Sequence, residues 1–212
     1  MFKSRVALAV AFVVAMSAAT ALADFVQISM PDAAYLASTT KIPITVSDGT
    51  YIGSLSDPDL TVSFSHLVYA ATVPGGGWAT WSSPPWSESG TPRVLVDTGT
   101  TVRLDFSTPT KTFGVEMEPN IFDVFTLTAD FYDGASLVGS ISIPVQGQAG
   151  ARLFAGATTS DKFTHVVLSA PSGASGYAFA QVRYGELIPE PATLLLLGSG
   201  LVGAFVYRKR RK

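Results

Sequence analysis

The sequence predicts an all-β protein: an antiparallel β-sandwich, jelly-roll-like, set between an N-terminal signal peptide and one C-terminal transmembrane helix. Three observations carry this. Apolar and polar residues alternate with period two in run after run between residues 24 and 187, which puts them on opposite faces of strands. Glycine and proline, 19 and 13 of the 212 residues, fall largely between those runs as turn punctuation. Two apolar stretches without charge lie outside them, one at each end of the chain.

The first stretch runs from Val6 to Met16 behind the basic residues Lys3 and Arg5. It leads into Ala21-Leu22-Ala23, the A-x-A form cut by signal peptidase, so residues 1–23 are expected to be removed and the mature chain to begin at Asp24. A retained anchor would need a longer apolar core.

From Asp24 to Leu187 the strand-like runs follow one another with no helical period. They include FVQISM, KIPITVS, LTVSFSHLVYAATV, RVLVDT, TTVRLDFS, TFGVEME, VFTLTADFYDG, SLVGSISIPVQG, FTHVVLSA and YAFAQVRYG. Val102, Leu104 and Phe106 are expected on one face, Thr101, Arg103 and Asp105 on the other; Phe125, Leu127, Ala129 and Phe131 alternate likewise with Thr126, Thr128 and Asp130. Asp133-Gly134 separates two runs where a tight turn makes a hairpin. Many short antiparallel strands give a sandwich, with one wet face per sheet supplied by Ser and Thr.

Charge separates this middle from the ends. Between Asp24 and Ile188 there are seven basic and fifteen acidic residues, a net charge of −8, which is a poor match for nucleic acid. With no cysteine there is no disulfide, thiolate metal site or cysteine nucleophile.

The closing stretch is PEPATLLLLGSGLVGAFVYRKRRK. Its uncharged part, residues 192–207, would be about 24 Å long as a helix at roughly 1.5 Å per residue, short of the roughly 30 Å hydrocarbon core. The five basic residues Arg208, Lys209, Arg210, Arg211 and Lys212 form a stop-transfer tail that favours a cytoplasmic C-terminus. The domain would then lie outside, anchored at the inner membrane.

The triplet Pro189-Glu190-Pro191, the short Leu- and Gly-rich run and the terminal basic cluster together resemble the PEP-CTERM sorting signal of Gram-negative bacteria, over residues 188–212. The resemblance implies processing by an exosortase-type membrane protease, then a place at the cell surface or in the extracellular matrix, where such proteins are associated with exopolysaccharide and biofilm. The prolines hold the chain extended around Glu190, a form a protease can read. The half from Thr91 to Leu187 is also similar to a domain found in other proteins with this signal, one without an assigned activity.

Chemistry-bearing residues leave several readings open. VPGGGWATWSSPPWSESG, residues 73–90, holds all three tryptophans. Trp78, Trp81 and Trp86 are candidates for carbohydrate contact by stacking on sugar rings, or else cap the open end of the core. Glu116 and Glu118 point from one face of a strand and form either a glycosidase-like pair or a solvated face. His66 and His165 sit inside strand runs with no partner at a recognised spacing. Asp57 with Asp59, and Asp130 with Asp133, could serve calcium, the one cofactor considered; no metal ligand set stands out. The expected function is non-enzymatic, structural or adhesive work beside exopolysaccharide. Carbohydrate binding through the Trp-rich loop and glycoside hydrolysis are the alternatives.

Overall fold

The computed structural model describes residues 24–186. The signal peptide with Ala21 and Ala23, the Pro189-Glu190-Pro191 triplet, the apolar run 192–207 and the basic tail lie outside the described residues. Among the described residues no helix is long and apolar enough to cross a membrane.

The fold is all-β, with antiparallel strands in a nearly closed sandwich. The strands in chain order are β1 (Phe25–Ile28), β2 (Thr39–Lys41), β3 (Tyr51–Ser56), β4 (Thr61–Thr72), β5 (Arg93–Asp97) and β6 (Thr101–Thr110). They continue as β7 (Thr112–Pro119), β8 (Val124–Asp133), β9 (Ser136–Gln146), β10 (Arg152–Thr158), β11 (Phe163–Ser169) and β12 (Tyr177–Gly185). One layer runs β1-β10-β7-β12-β5 and the other β6-β11-β8-β9. From β5 to β12 the chain keeps crossing between layers, with β8 and β9 the one consecutive pair in the same layer, which is a jelly-roll order. The long β4 joins the layers: its Tyr69–Ala71 pairs β5 and its Val62–Phe64 pairs β6.

The alternation expected for β6 and β8 holds. Val102, Leu104, Leu127, Ala129 and Phe131 are fully buried between the layers beside Val115, Met117, Val166, Leu168 and Phe179, while Thr101 and Arg103 face solvent. The hairpin at Asp133-Gly134 is also present: Asp133 pairs Ser136, and Gly134 takes φ +56° at the first turn position, as a two-residue hairpin needs.

Two expectations need correction. A helix does form, α1 (Ala33–Ser38), capped by Asp32, whose carboxylate accepts the Tyr35 N–H at 2.8 Å; at six residues it is too short to show a period. The wet outer face also fails on one layer. All eight residues of β7 are buried, because the 73–92 connection between β4 and β5 and the α1 segment cover that face.

Phe25 closes the seam between the free ends of the two layers. Its ring packs on Phe131 and Phe163 at centroid distances of 5.2 and 6.1 Å and lies flat over Gly139 of β9 and Gly156 of β10. A Cβ at either glycine would come within 2.4 Å of that ring, so the glycines make the seat. The neighbouring Asp24 carboxylate accepts from the Thr159 N–H and hydroxyl and from the Ser160 N–H.

Phe25→Ala should therefore lower unfolding stability by about 2 kcal/mol, below the full cost of a buried Phe because the ring is half-buried. Val26→Ser, at an exposed neighbour, should stay within about 0.5 kcal/mol. Denaturant unfolding of both variants checks this, and equal effects would remove Phe25 from the closure.

Candidate functional site

β7 brings the two sequence-selected carboxylates to one face by simple alternation. Val115 and Met117 enter the core, so Glu116 and Glu118 point outward. β12 places Ala180 opposite Glu116 and Ala178 opposite Glu118, and β5 continues both rows with Val94 and Val96. With Ala71 of β4 and Ala151, these small residues form a flat apolar floor.

The 73–92 segment folds back onto this floor. Its base closes where the Val73 N–H donates to the Pro92 carbonyl at 3.2 Å, and Trp78 and Trp81 lie down on the alanines and valines. Both indoles are buried, at 7% and 4% exposure, and each directs its N–H at one carboxylate. Trp78 Nε1 donates to Glu118 Oε2 at 2.7 Å and Trp81 Nε1 to Glu116 Oε2 at 2.8 Å. The second oxygens are also used. Glu116 Oε1 accepts the Glu88 N–H at 2.6 Å, and Glu118 Oε1 accepts the Gly150 N–H at 3.0 Å and the Thr80 hydroxyl at 3.3 Å.

Burial pushes the Glu116 carboxyl up to about 7 against the opposing pull of the Trp81 and Glu88 donors, and raises Glu118 as well. The network extends from there. Glu88 takes a bidentate Arg183 at 2.8 and 3.1 Å and Lys41 at 2.8 Å; its carboxyl is held below the usual range, these cations outweighing a burial that acts the other way. Arg183 also donates to the Thr39 carbonyl at 2.8 Å and so ties the N-terminal segment to the loop.

Two readings of these residues are thereby corrected. Glu116 and Glu118 are neither a solvated strand face nor an open acid and nucleophile pair, since both are fully buried with their oxygens hydrogen-bonded. Trp78 and Trp81 are not open stacking platforms but the lid of the buried face; Trp81 is closed off, and Trp78 reaches the surface only where it lines a cleft with Asn120 and Phe122. Trp86 differs: it is 47% exposed, with the Arg152 guanidinium 4.8 Å over its ring. A signal was present in the sequence. After Thr112 the outward positions of β7 are Gly114, Glu116 and Glu118, where the solvated β8 and β9 carry Thr126, Thr128, Ser140 and Ser142, and the loop carries Trp78 and Trp81 at a similarly short spacing.

The other candidates are absorbed by the fold. His165 is buried and stacks on Tyr132 at 4.8 Å. His66 does have partners that the sequence did not reveal: Nε2 lies 3.0 Å from Asp97 Oδ1 and Nδ1 lies 3.3 Å from Ser65 Oγ. That hydroxyl already accepts the Arg103 N–H at 3.1 Å. Asp57 accepts the N–H groups of Asp59 and Leu60 and the Tyr184 hydroxyl, and Asp130 accepts from Ser140. Among the described residues no three His, Asp or Glu side chains converge on a metal-sized site.

Fold and sequence together define an all-β sandwich joined to a C-terminal sorting segment. That segment is a PEP-CTERM protein-sorting motif, whose family model matches residues 187–211, and it implies export, exosortase processing and sorting toward the cell surface. No curated protein matches the chain. Solved structures with a similar fold include a family 29 carbohydrate-binding module from Piromyces equi, at 6% identity over 74% of this chain and 96% of its own, with a TM-score of 0.33. A family 6 module of the Cellvibrio mixtus lichenase 5A, solved with cellotriose, aligns at 15% identity over 70% and 97%, TM-score 0.29. The C-terminal family 6 module of LamC, a marine laminarinase from Zobellia galactanivorans, aligns at 15% over 70% and 99%, TM-score 0.30. At these scores the likenesses assign no ligand.

The raised carboxyl gives a pH dependence of defined sign. Between about pH 4.5, the ordinary value, and about 7 the folded state holds a proton on Glu116 that the unfolded chain releases, so stability falls as pH rises through that window, by up to about 3 kcal/mol. Glu88, shifted down, acts in the opposite sense and at lower pH. Glu116→Gln should flatten the decline between pH 5 and 8. Trp81→Phe, which removes the indole donor, should cost about 2 kcal/mol and more at pH 8 than at pH 5. Thermal unfolding across pH reads both, and a wild-type midpoint that rises from pH 5 to 8 would overturn the assignment.

Proposed function

We propose that the exported domain is a non-enzymatic component of the cell surface or extracellular matrix, doing structural or adhesive work in contact with exopolysaccharide. The observation that carries this reading is the mutual use of the carboxylate pair and the tryptophans. The residues best suited to hydrolysis face each other's donors inside the fold, and the region they build is a lid over a sheet. The sorting motif supports a surface destination. In this reading the tail, with Pro189, Glu190 and Pro191 read by an exosortase, the run 192–207 as a temporary inner-membrane anchor and the basic cluster on the cytoplasmic side, is an address that is removed.

Carbohydrate binding is the second reading, favoured by an exposed aromatic beside a polar cleft at the far end of the sandwich.

Mass spectrometry of the protein from its native host should find no Lys212, and replacing Pro189, Glu190 and Pro191 by alanine should restore it. The processed protein should co-sediment with the host's own exopolysaccharide and release no shorter saccharides from it. Free protein in the supernatant, or the appearance of cleavage products, counts against the proposal.

A further inference from the structure

Strand register fixes which end of the domain faces outward. Thr112 opens β7 beside Gly185, where β12 leaves the domain, and beside Ala157 near the close of β10, whose last residue, Thr158, pairs Phe25. Both ends of the described chain therefore leave from one end of the sandwich, the end next to the sorting motif. β7 then runs eight residues, about 25 Å at roughly 3.3 Å each, to Pro119. The loop after it, residues 120–123, stands at the opposite tip.

That tip holds a cleft of about 180 Å³ where the 73–92 segment, the β7–β8 loop and the β9–β10 loop meet. We propose that this cleft, walled by Trp78, Thr80, Asn120 and Phe122, binds a single uncharged sugar residue of an extracellular glycan. The proposal rests on the reading of the domain as an exopolysaccharide-contacting protein and names the site and the ligand class.

The walls are set before any ligand arrives. Trp78 is pinned by Glu118, so its indole is a rigid side of the cleft. Thr80 is held by Glu118 and by the Ala149 N–H at 3.0 Å. Asn120 donates its backbone N–H to the Gly176 carbonyl and its Nδ2 to the Ser175 carbonyl, both at 3.1 Å. This fixes an amide whose second N–H and carbonyl suit hydroxyl groups. Gly147 lets the loops approach, since a Cβ there would lie 1.8 Å from the Ile121 carbonyl oxygen.

Phe122, by contrast, is 56% exposed and leaves an aromatic ring open at the rim. Apolar ring faces beside a few fixed polar groups match a pyranose, which has C–H faces and a hydroxyl edge. The volume suits one ring. The lining residues carry no charge and the domain is net acidic, so a uronate, sulfate or phosphate group would meet no counter-ion there.

The test is titration of the processed protein from the native host with glucose, galactose, mannose and their neutral oligomers, with glucuronate as the charged probe, read by tryptophan fluorescence and calorimetry. At least one neutral sugar should bind saturably, and glucuronate at least tenfold more weakly. Phe122→Ala and Asn120→Ala should each weaken binding at least tenfold with an unchanged unfolding midpoint; Phe122→Tyr should retain it, and Trp86→Ala should have no effect. The absence of saturable binding by any neutral sugar, equal affinity for glucuronate, or binding indifferent to Phe122→Ala overturns the proposal. Co-sedimentation with host exopolysaccharide separates the two readings. If it persists in Phe122→Ala, the matrix role stands and this cleft is not its site; if the wild type does not co-sediment, the matrix role itself falls.

Discussion

The outer architecture of this domain depends on two carboxylates placed where water cannot reach them. Glu116 and Glu118 lie in the middle of a sheet face made mostly of alanine and valine, with Leu153 of β10 directly opposite Glu116. A bare carboxylate there would cost several kcal/mol, so the face needs donors brought from elsewhere. The 73–92 segment supplies them with two indole N–H groups, the Thr80 hydroxyl and one backbone N–H, and the β9–β10 loop adds the Gly150 N–H. The apolar bodies of the indoles would adhere to many flat apolar faces. The two N–H groups aimed at two fixed oxygens select one position for the loop, which is what a long glycine-rich connection otherwise lacks.

Much follows from where that loop settles. Glu88 is carried to Arg183, whose guanidinium reaches the Thr39 carbonyl, so the loop, β12 and the N-terminal segment become one polar network. Thr80 is carried to the tip, against Ala149, and Trp78 becomes a wall there. Burying the carboxylates thus also shapes the cleft at the tip of the sandwich, and their raised proton affinity is the electrostatic trace of that burial.

The sequence made the strands legible because their cause is local. Val102 and Leu104 against Thr101 and Arg103 need only the two-residue pleat, and Asp133-Gly134 needs only a backbone that tolerates positive φ. It also placed Glu116 and Glu118 on one face, correctly, for the same reason. Their environment was not legible, because a face is wet or dry according to what folds over it, and the covering residues lie 28 to 40 positions away. The same non-local cause hid His66 beside Asp97, 31 positions on, and Phe122 beside Trp78. The β7 outward row was the readable exception. Beyond Thr112, glycine and glutamate stood where the solvated strands β8 and β9 have threonine and serine, a pattern that fits donors arriving from above better than it fits solvent.

The seam imposes a separate constraint, on processing. The chain has no cysteine, so neither end of the sandwich can be stapled by a disulfide, and the free layer edges are held by packing around Phe25. Cleavage after Ala23, as the sequence predicts, leaves Asp24 to accept from Thr159 and Ser160 and Phe25 to seat on Gly139 and Gly156. A cut only two residues later would remove both the carboxylate and the ring. The opposite terminus has no such dependence within the described chain: β12 completes its pairing at Gly185, before residue 187, where the matched sorting motif begins. An exosortase acting within that motif would therefore leave every described strand pairing intact, whereas the N-terminal cut has a tolerance of about one residue. The cleavage expected after Ala23 and the exosortase processing implied by the motif would both fall at the same end of the sandwich, and the fold would restrict only the first.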